Sequence, residues 1–185
     1  PLLQELPCDV ACSKNICFLP TRSAKHILQD PSLIYHDSHP KYNRFVEKEL
    51  QRIASHLLCT GVFGLDLGAF TPFLWALRDR ERILDLFELT CGARLLYNYM
   101  WVGGLSHDIP VGFVESTFEF LDYFEPKVDE LENILAHNKI LVERSADIGV
   151  MPKDVAISYG VTGPNLRASG VKWDLRKNDP YSIYD

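Results

Sequence analysis

The 185-residue sequence is short of most features that announce a self-contained function. It has no Walker-type phosphate loop, no G-x-G-x-x-G turn, no G-x-S-x-G elbow, no H-E-x-x-H pair and no EF-hand loop, so the common nucleotide, hydrolase and metal chemistries have nothing to stand on. Its longest apolar runs are cut by Arg, Asp or Glu within a few positions, well short of the roughly 18–20 residues that span a bilayer. Basic residues are outnumbered, with Lys+Arg 19 against Asp+Glu 25 and a formal net charge of -6, which excludes a broad basic surface for nucleic acid. Cysteine is scarce and odd in number: Cys8, Cys12, Cys17, Cys59 and Cys91. The first three form a C-x3-C-x4-C run without the usual C-x2-C pair or an evident fourth ligand, so free thiols in a reducing compartment are the better reading, and no metal site is expected. There is no internal repeat and no low-complexity tract.

A 46% hydrophobic content is enough for a core, and its periodicity shows where that core is built. Residues 1 to 41 carry Pro7, Pro20, Pro31 and Pro40, spaced so that no long helix fits; they read as an irregular N-terminal arm, with a short helical patch around Ser23 to Gln29. From Tyr42 to Leu58, Phe45, Val46, Leu50, Ile53, Ala54, Leu57 and Leu58 recur at three and four, an amphipathic helix ending near Gly61. The glycine-bearing stretch 61–70 reads as a loop around Asp66. Thr71-Pro72 then looks like an N-cap and first helical proline, opening a helix through Leu89 that closes at Gly92. Within it, Arg78-Asp-Arg-Glu-Arg82 is a mixed-charge turn suited to a solvated face or a subunit contact.

A third helix is expected over Ala93 to Val102, broken by Gly103-Gly104. A long one follows from His107-Asp108-Ile109-Pro110 to His137, bent or divided at Pro126, with Phe113, Phe118, Phe120, Leu121 and Phe124 among its core stripe. Met151-Pro152 opens a short helix closing at Gly160, and the tail 161–185 should be extended or looped. The expected class is all-α: an antiparallel helix bundle core over 42–185, between the irregular arm and a loop-rich C-terminal tail. No strand is strongly indicated.

Among titratable groups, Asp66 stands out. A carboxylate between Leu65 and Leu67 at a helix junction is expected to be partly desolvated, unless it caps a neighbouring helix or accepts backbone N–H bonds. His36, Asp37 and His39 form a compact cluster that reads as a solvated turn, and His56 and His137 read as structural.

Several runs together resemble one family. Glu49-Leu-Gln-Arg-Ile-Ala-Ser-His-Leu-Leu58, Leu65-Asp-Leu-Gly-Ala-Phe-Thr-Pro-Phe73, Arg80-Glu-Arg-Ile-Leu-Asp-Leu-Phe87, Cys91-Gly-Ala-Arg94, Gly163-Pro-Asn-Leu-Arg-Ala-Ser-Gly170 and Trp173-Asp-Leu-Arg-Lys177 with Asp179-Pro-Tyr181 are similar, in order and spacing, to the 49-kDa/D subunit of NADH:quinone oxidoreductase, respiratory complex I. The match covers about Phe45 to Asp185. More distantly this family resembles the large subunit of nickel-iron hydrogenases, whose metal-binding cysteine pairs Cys59 and Cys91 do not reproduce.

The resemblance implies a peripheral subunit on the energy-conserving membrane, at the mitochondrial matrix side or the bacterial cytoplasmic side. Its implied partners are the small subunit carrying the terminal [4Fe–4S] cluster, the 30-kDa/C subunit and the membrane-arm subunits. Quinone is the substrate, reduced between this subunit and the cluster subunit, while FMN and NADH bind elsewhere in the complex; this chain binds no cofactor by itself and is inactive alone. In the family, a loop histidine and a tyrosine hold the quinone headgroup, and the aspartate of the L-D-L-G-A run partners that histidine. This role carries over to Asp66, since a carboxylate–histidine pair suits delivery of the two protons that quinol formation needs.

Arg94, Arg167, Trp173, Asp174 and Arg176 are assigned to the quinone site or a subunit interface, as polar groups at loop junctions where Arg–carboxylate pairs fix geometry. The family's H-P-x-x-H-G loop and tyrosine segment have no counterpart here, and His36 and His39 do not fill that role. The expectation is therefore a piece of the subunit, from a divided gene or a divergent or truncated form, with a second polypeptide supplying the missing part. Trp101 stands where many members have an Arg. The rivals are a non-catalytic scaffold of the same complex and a subunit of a related ferredoxin-dependent oxidoreductase.

Overall fold

The computed structural model describes residues 40–184. The expectations for the N-terminal arm, the 23–29 patch, the first three cysteines and the His36–His39 cluster lie outside the described residues. Helix dominates, and three long antiparallel helices make the core.

Helix α1 spans Pro40–Asp66, about 40 Å of helix at 1.5 Å per residue. The stripe expected from the sequence is the buried one: Phe45, Val46, Leu50, Ile53, Ala54 and Leu57 are all buried. The helix does not stop at Gly61 but runs through the stretch read as a loop. A Cβ at Gly61 would lie 3.1 Å from the Ala76 Cβ and 3.3 Å from the Phe73 Cα, and one at Gly64 would lie 3.1 Å from Leu135 Cδ2. Both glycines serve close helix packing rather than a turn, and that use overrides their low helix propensity.

After a three-residue turn, α2 (Phe70–Cys91) returns along α1. Ala69 occupies its N-cap position without a side-chain cap, so Thr71 is not the cap, and Pro72 is the third helical residue rather than the first, still within the turn whose N–H groups lack helical partners. Gly92, at φ 72, closes α2. The mixed-charge turn is not merely solvated. Asp79 is fully buried, accepting from Arg78 Nε at 2.8 Å and Nη2 at 3.2 Å, and from the Tyr123 hydroxyl at 2.9 Å. Arg82 lies 3.8 Å from the Tyr123 ring centroid, completing a polar clasp between α2 and α3 (Phe113–Leu135).

The third expected helix is absent. Residues 93–99 run without regular structure into a small hairpin, β1 (Met100–Trp101) paired antiparallel with β2 (Gly104–Leu105). Tyr97 packs on Phe87 with ring centroids 4.4 Å apart, and Tyr99 is buried, while Asn98 and Met100 are exposed. This alternation is the period of an extended chain, not a helix, and Gly103 at φ 94 makes the turn.

Helix α3 begins six residues after His107, behind Gly112, and is not divided by Pro126. Phe113, Phe120, Leu121 and Phe124 are buried in the main core with Leu50, Ile53, Ile83 and Phe87. Four short helices follow: α4 (Lys139–Ser145), α5 (Lys153–Ser158), α6 (Gly163–Ala168) and α7 (Leu175–Asn178). Only α5 is expected from the sequence. Asn138 caps α4 through Ile140 N at 3.0 Å and Leu141 N at 3.4 Å, Pro164 opens α6, and Asp174 caps α7. The tail is therefore structured by local capping rather than extended.

Candidate functional site

Asp66 is the last residue of α1. The turn after it is tightly held: Gly68 N donates to Leu65 O at 2.9 Å and Ala69 N to Gly64 O at 2.8 Å. Gly68 has φ 89, and a Cβ there would meet Arg144 Nη1 at 2.7 Å, while the same guanidinium donates to Leu67 O. A hollow of about 490 Å³ opens beside this turn, lined by Leu67, Phe70, Ile134, Ile140 and Arg144 among others.

The expected desolvation of Asp66 does not occur among the described residues. Its carboxylate is exposed and so is Leu65 beside it, because the junction points out of the bundle. Neither structural role considered from the sequence applies either. It does not cap α2, and it forms no hydrogen bond or ion pair among the described residues. Its position opposes the helix macrodipole, which disfavours a negative charge in the last turn by roughly 0.3–1 kcal/mol. Asp66 thus adds nothing to the stability of this fold. It stands at a hydrogen-bonded junction whose adjoining turns of α1 and α2 carry exposed apolar side chains: Val62, Leu65, Phe70 and Leu74.

The remaining candidates divide into two places. Arg167, Trp173, Asp174 and Arg176 come together in a cleft of about 160 Å³ between the C-terminal tail and α1, with Arg52, His56 and Tyr181. Asp174 Oδ1 accepts from Arg176 Nε at 3.0 Å and Oδ2 from Nη2 at 2.9 Å. These bonds hold the Asp174 carboxyl well below the usual range, at about 2. The tail is anchored through α1. Glu49, fully buried, accepts from the Tyr184 hydroxyl and pairs with Arg52 Nη2 at 3.2 Å, and Lys48 donates to the Tyr181 hydroxyl at 3.1 Å. Arg52 and His56, one turn apart on α1, lie within the Glu49–Leu58 run, which marks neither for a site role; their i, i+4 spacing beside the apolar stripe is the signal that places them on one face.

Arg94 lies elsewhere. It bonds Glu81, Asp85 at 2.5 Å and Glu88 at 2.8 Å along one exposed face of α2, tying the chain after Gly92 back onto its helix. A second group missed from sequence is Glu47, which sits on the buried side of α1 with its Oε1 unpartnered. Burial pushes its carboxyl up from 4.5 to about 7, opposed by a hydrogen bond with Thr90. The Thr90 hydroxyl proton is given to Phe87 O at 3.0 Å.

With this geometry in hand, the chain can be set beside known proteins. The family model described as the respiratory-chain NADH dehydrogenase 49 Kd subunit matches residues 66–185. The NADH-quinone oxidoreductase D subunit of Chlorobium phaeovibrioides (strain DSM 265 / 1930) is 58% identical over 144 residues, covering 78% of this chain and 36% of that protein. The corresponding protein of Cytophaga hutchinsonii is 58% identical over 144 residues, with 78% of this chain and 37% of that protein covered. A chain in a solved structure of the membrane-bound sulfane sulfur reductase, an archaeal respiratory membrane complex, superimposes with a TM-score of 0.72 at 30% identity, covering 99% of this chain and 51% of its own. The chain thus spans a little over a third of the length of the curated relatives it matches. On the matched residues, which run from Asp66 through the Arg167–Arg176 cleft, it belongs to the family of the 49 Kd subunit of the respiratory-chain NADH dehydrogenase.

Proposed function

We propose that this chain forms one wall of the quinone-reducing site of NADH:quinone oxidoreductase, with Asp66 as its acid–base group. The observation that carries the reading is the state of Asp66. It is exposed, without a partner among the described residues, at the helix end that disfavours it, and within an apolar rim. A quinone has an apolar body and two carbonyl oxygens that each gain a proton on reduction. Such a substrate calls for apolar walls and a few placed polar groups.

In this reading the electrons arrive from the [4Fe–4S] cluster of the neighbouring small subunit. Asp66 holds and orients a histidine supplied from outside residues 40–184, and the pair supplies protons to the headgroup. Covering the rim of Val62, Leu65 and Phe70 with the partner subunit removes water and strengthens that pairing. Arg94 and the cleft residues hold the tail and the subunit contacts rather than the substrate. The chain has no turnover alone, and it sits peripherally through the 30-kDa/C and membrane-arm subunits. No described helix is long and apolar enough to cross a membrane. The same exposed rim also suits a purely structural role, as a scaffold face for the cluster subunit.

The test separating the two is Asp66→Asn in the assembled complex, which keeps shape and removes charge. Quinone reduction should fall by about tenfold or more with assembly intact. Unchanged turnover and unchanged quinone affinity would leave the scaffold role.

A further inference from the structure

We infer that the cleft between α1 and the C-terminal tail is a receptor for a carboxylate side chain presented by a neighbouring polypeptide of the complex, seated on Arg167. Three guanidinium groups line this cleft, those of Arg52, Arg167 and Arg176. Two are already matched: Arg176 is held by Asp174 through two parallel bonds, and Arg52 by the buried Glu49. Arg167 is half-buried and has neither a hydrogen bond nor an ion pair among the described residues. Its field is felt by Asp174, whose carboxyl it helps to hold low.

A half-buried cation whose two cationic neighbours are already matched carries a desolvation cost that an incoming anion offsets. A planar carboxylate is the group that a guanidinium fork fits with two parallel bonds. The size of the opening decides what brings it. About 160 Å³ accommodates the head of an acidic side chain but falls short of the roughly 300 Å³ at which small-molecule sites begin. Its lining includes Trp173, 45% exposed, and Tyr181, 39% exposed. Arg, Trp and Tyr gathered around a small pocket are the composition of a protein–protein anchor point.

This inference goes beyond the quinone reading and does not use Asp66, which lies ten residues beyond His56 on α1, about 15 Å along the helix.

The experiment is carbodiimide coupling in the intact complex carrying Arg167→Lys, followed by peptide mass mapping. This zero-length reagent joins the introduced amine, as an amide, to whichever carboxyl touches it. The expected product links position 167 to an Asp or Glu of another chain. Arg167→Ala should then weaken retention of that chain by about tenfold or more, with Arg167→Lys retaining it and Asp66→Asn leaving it unaffected. Coupling confined to carboxyls of this chain, Asp174 and Glu49 included, or no coupling at all, would overturn the assignment, whatever the outcome at Asp66.

Discussion

Glu47→Gln should make the protein more stable at neutral and alkaline pH while changing little in mild acid. Glu47 is 3% exposed and its carboxyl is raised from 4.5 to about 7, chiefly by burial. Between those two values the folded chain keeps a proton that the unfolded chain has released. Because the folded value is the higher one, the native state is unpenalised below about pH 4.5 and loses stability as pH rises towards 7 and beyond. The gap between 4.5 and about 7, at about 1.36 kcal/mol for each tenfold change in proton affinity, amounts to roughly 3 kcal/mol.

The groups around it do not relieve the charge. Burial sets the shift, and the Thr90 hydrogen bond offsets it only in part. A neutral amide of the same shape avoids the penalty. Urea unfolding of both proteins at a series of pH values should give profiles that meet near pH 4.5 and diverge by about 3 kcal/mol above about pH 8. Parallel profiles, or a variant less stable at pH 8, would refute the protonated-carboxyl assignment.

Two other perturbations test the packing. Gly61→Val places a Cβ 3.1 Å from the Ala76 Cβ and 3.3 Å from the Phe73 backbone; the forced separation of α1 and α2 should cost about 2–3 kcal/mol, read as a lower urea midpoint. Asp174→Asn removes a carboxylate held at about 2 by Arg176. Because its value is depressed, the stabilisation is present above about pH 4 and lost as pH falls towards 2. The variant should lose about 1 kcal/mol at neutral pH, once solvent screening is allowed for, and converge with the parent in acid.

The long helices are legible because burial imposes a period on the sequence. Leu50, Ile53, Ala54 and Leu57 declare the inner face of α1 without any structure. What sequence reasoning misplaces is each feature that depends on a neighbour. Gly61 and Gly64 read as loop because a glycine's own preference points that way; only the approach of Phe73, Ala76 and Leu135 makes them helical. Residues 93–99 contain apolar side chains dense enough for a helix, and the two-residue alternation becomes visible only when Tyr97 is seen on Phe87 and Tyr99 buried.

The site shows the same division. Four of the five residues assigned to an interface, Arg167, Trp173, Asp174 and Arg176, do share one cleft, because they lie close in the chain around α6 and α7. Arg52 and Tyr181 join them only through the docking of the tail on α1, which no local pattern records. Asp66 stands out in the sequence as a carboxylate between leucines, and the structure leaves it just as conspicuous. Its expected burial fails, because Leu65 faces outward with it. Any shielding comes from outside residues 40–184.

The most direct test of the proposed role is photolabelling of the assembled complex with an azido-quinone, followed by mapping of the modified peptides. The account predicts that label incorporated into this chain falls on residues 62–74, around Val62, Leu65, Asp66 and Phe70, and that excess unlabelled quinone competes it away. Label found only on other subunits, or on this chain only at the Arg94 face or the tail cleft, would contradict it.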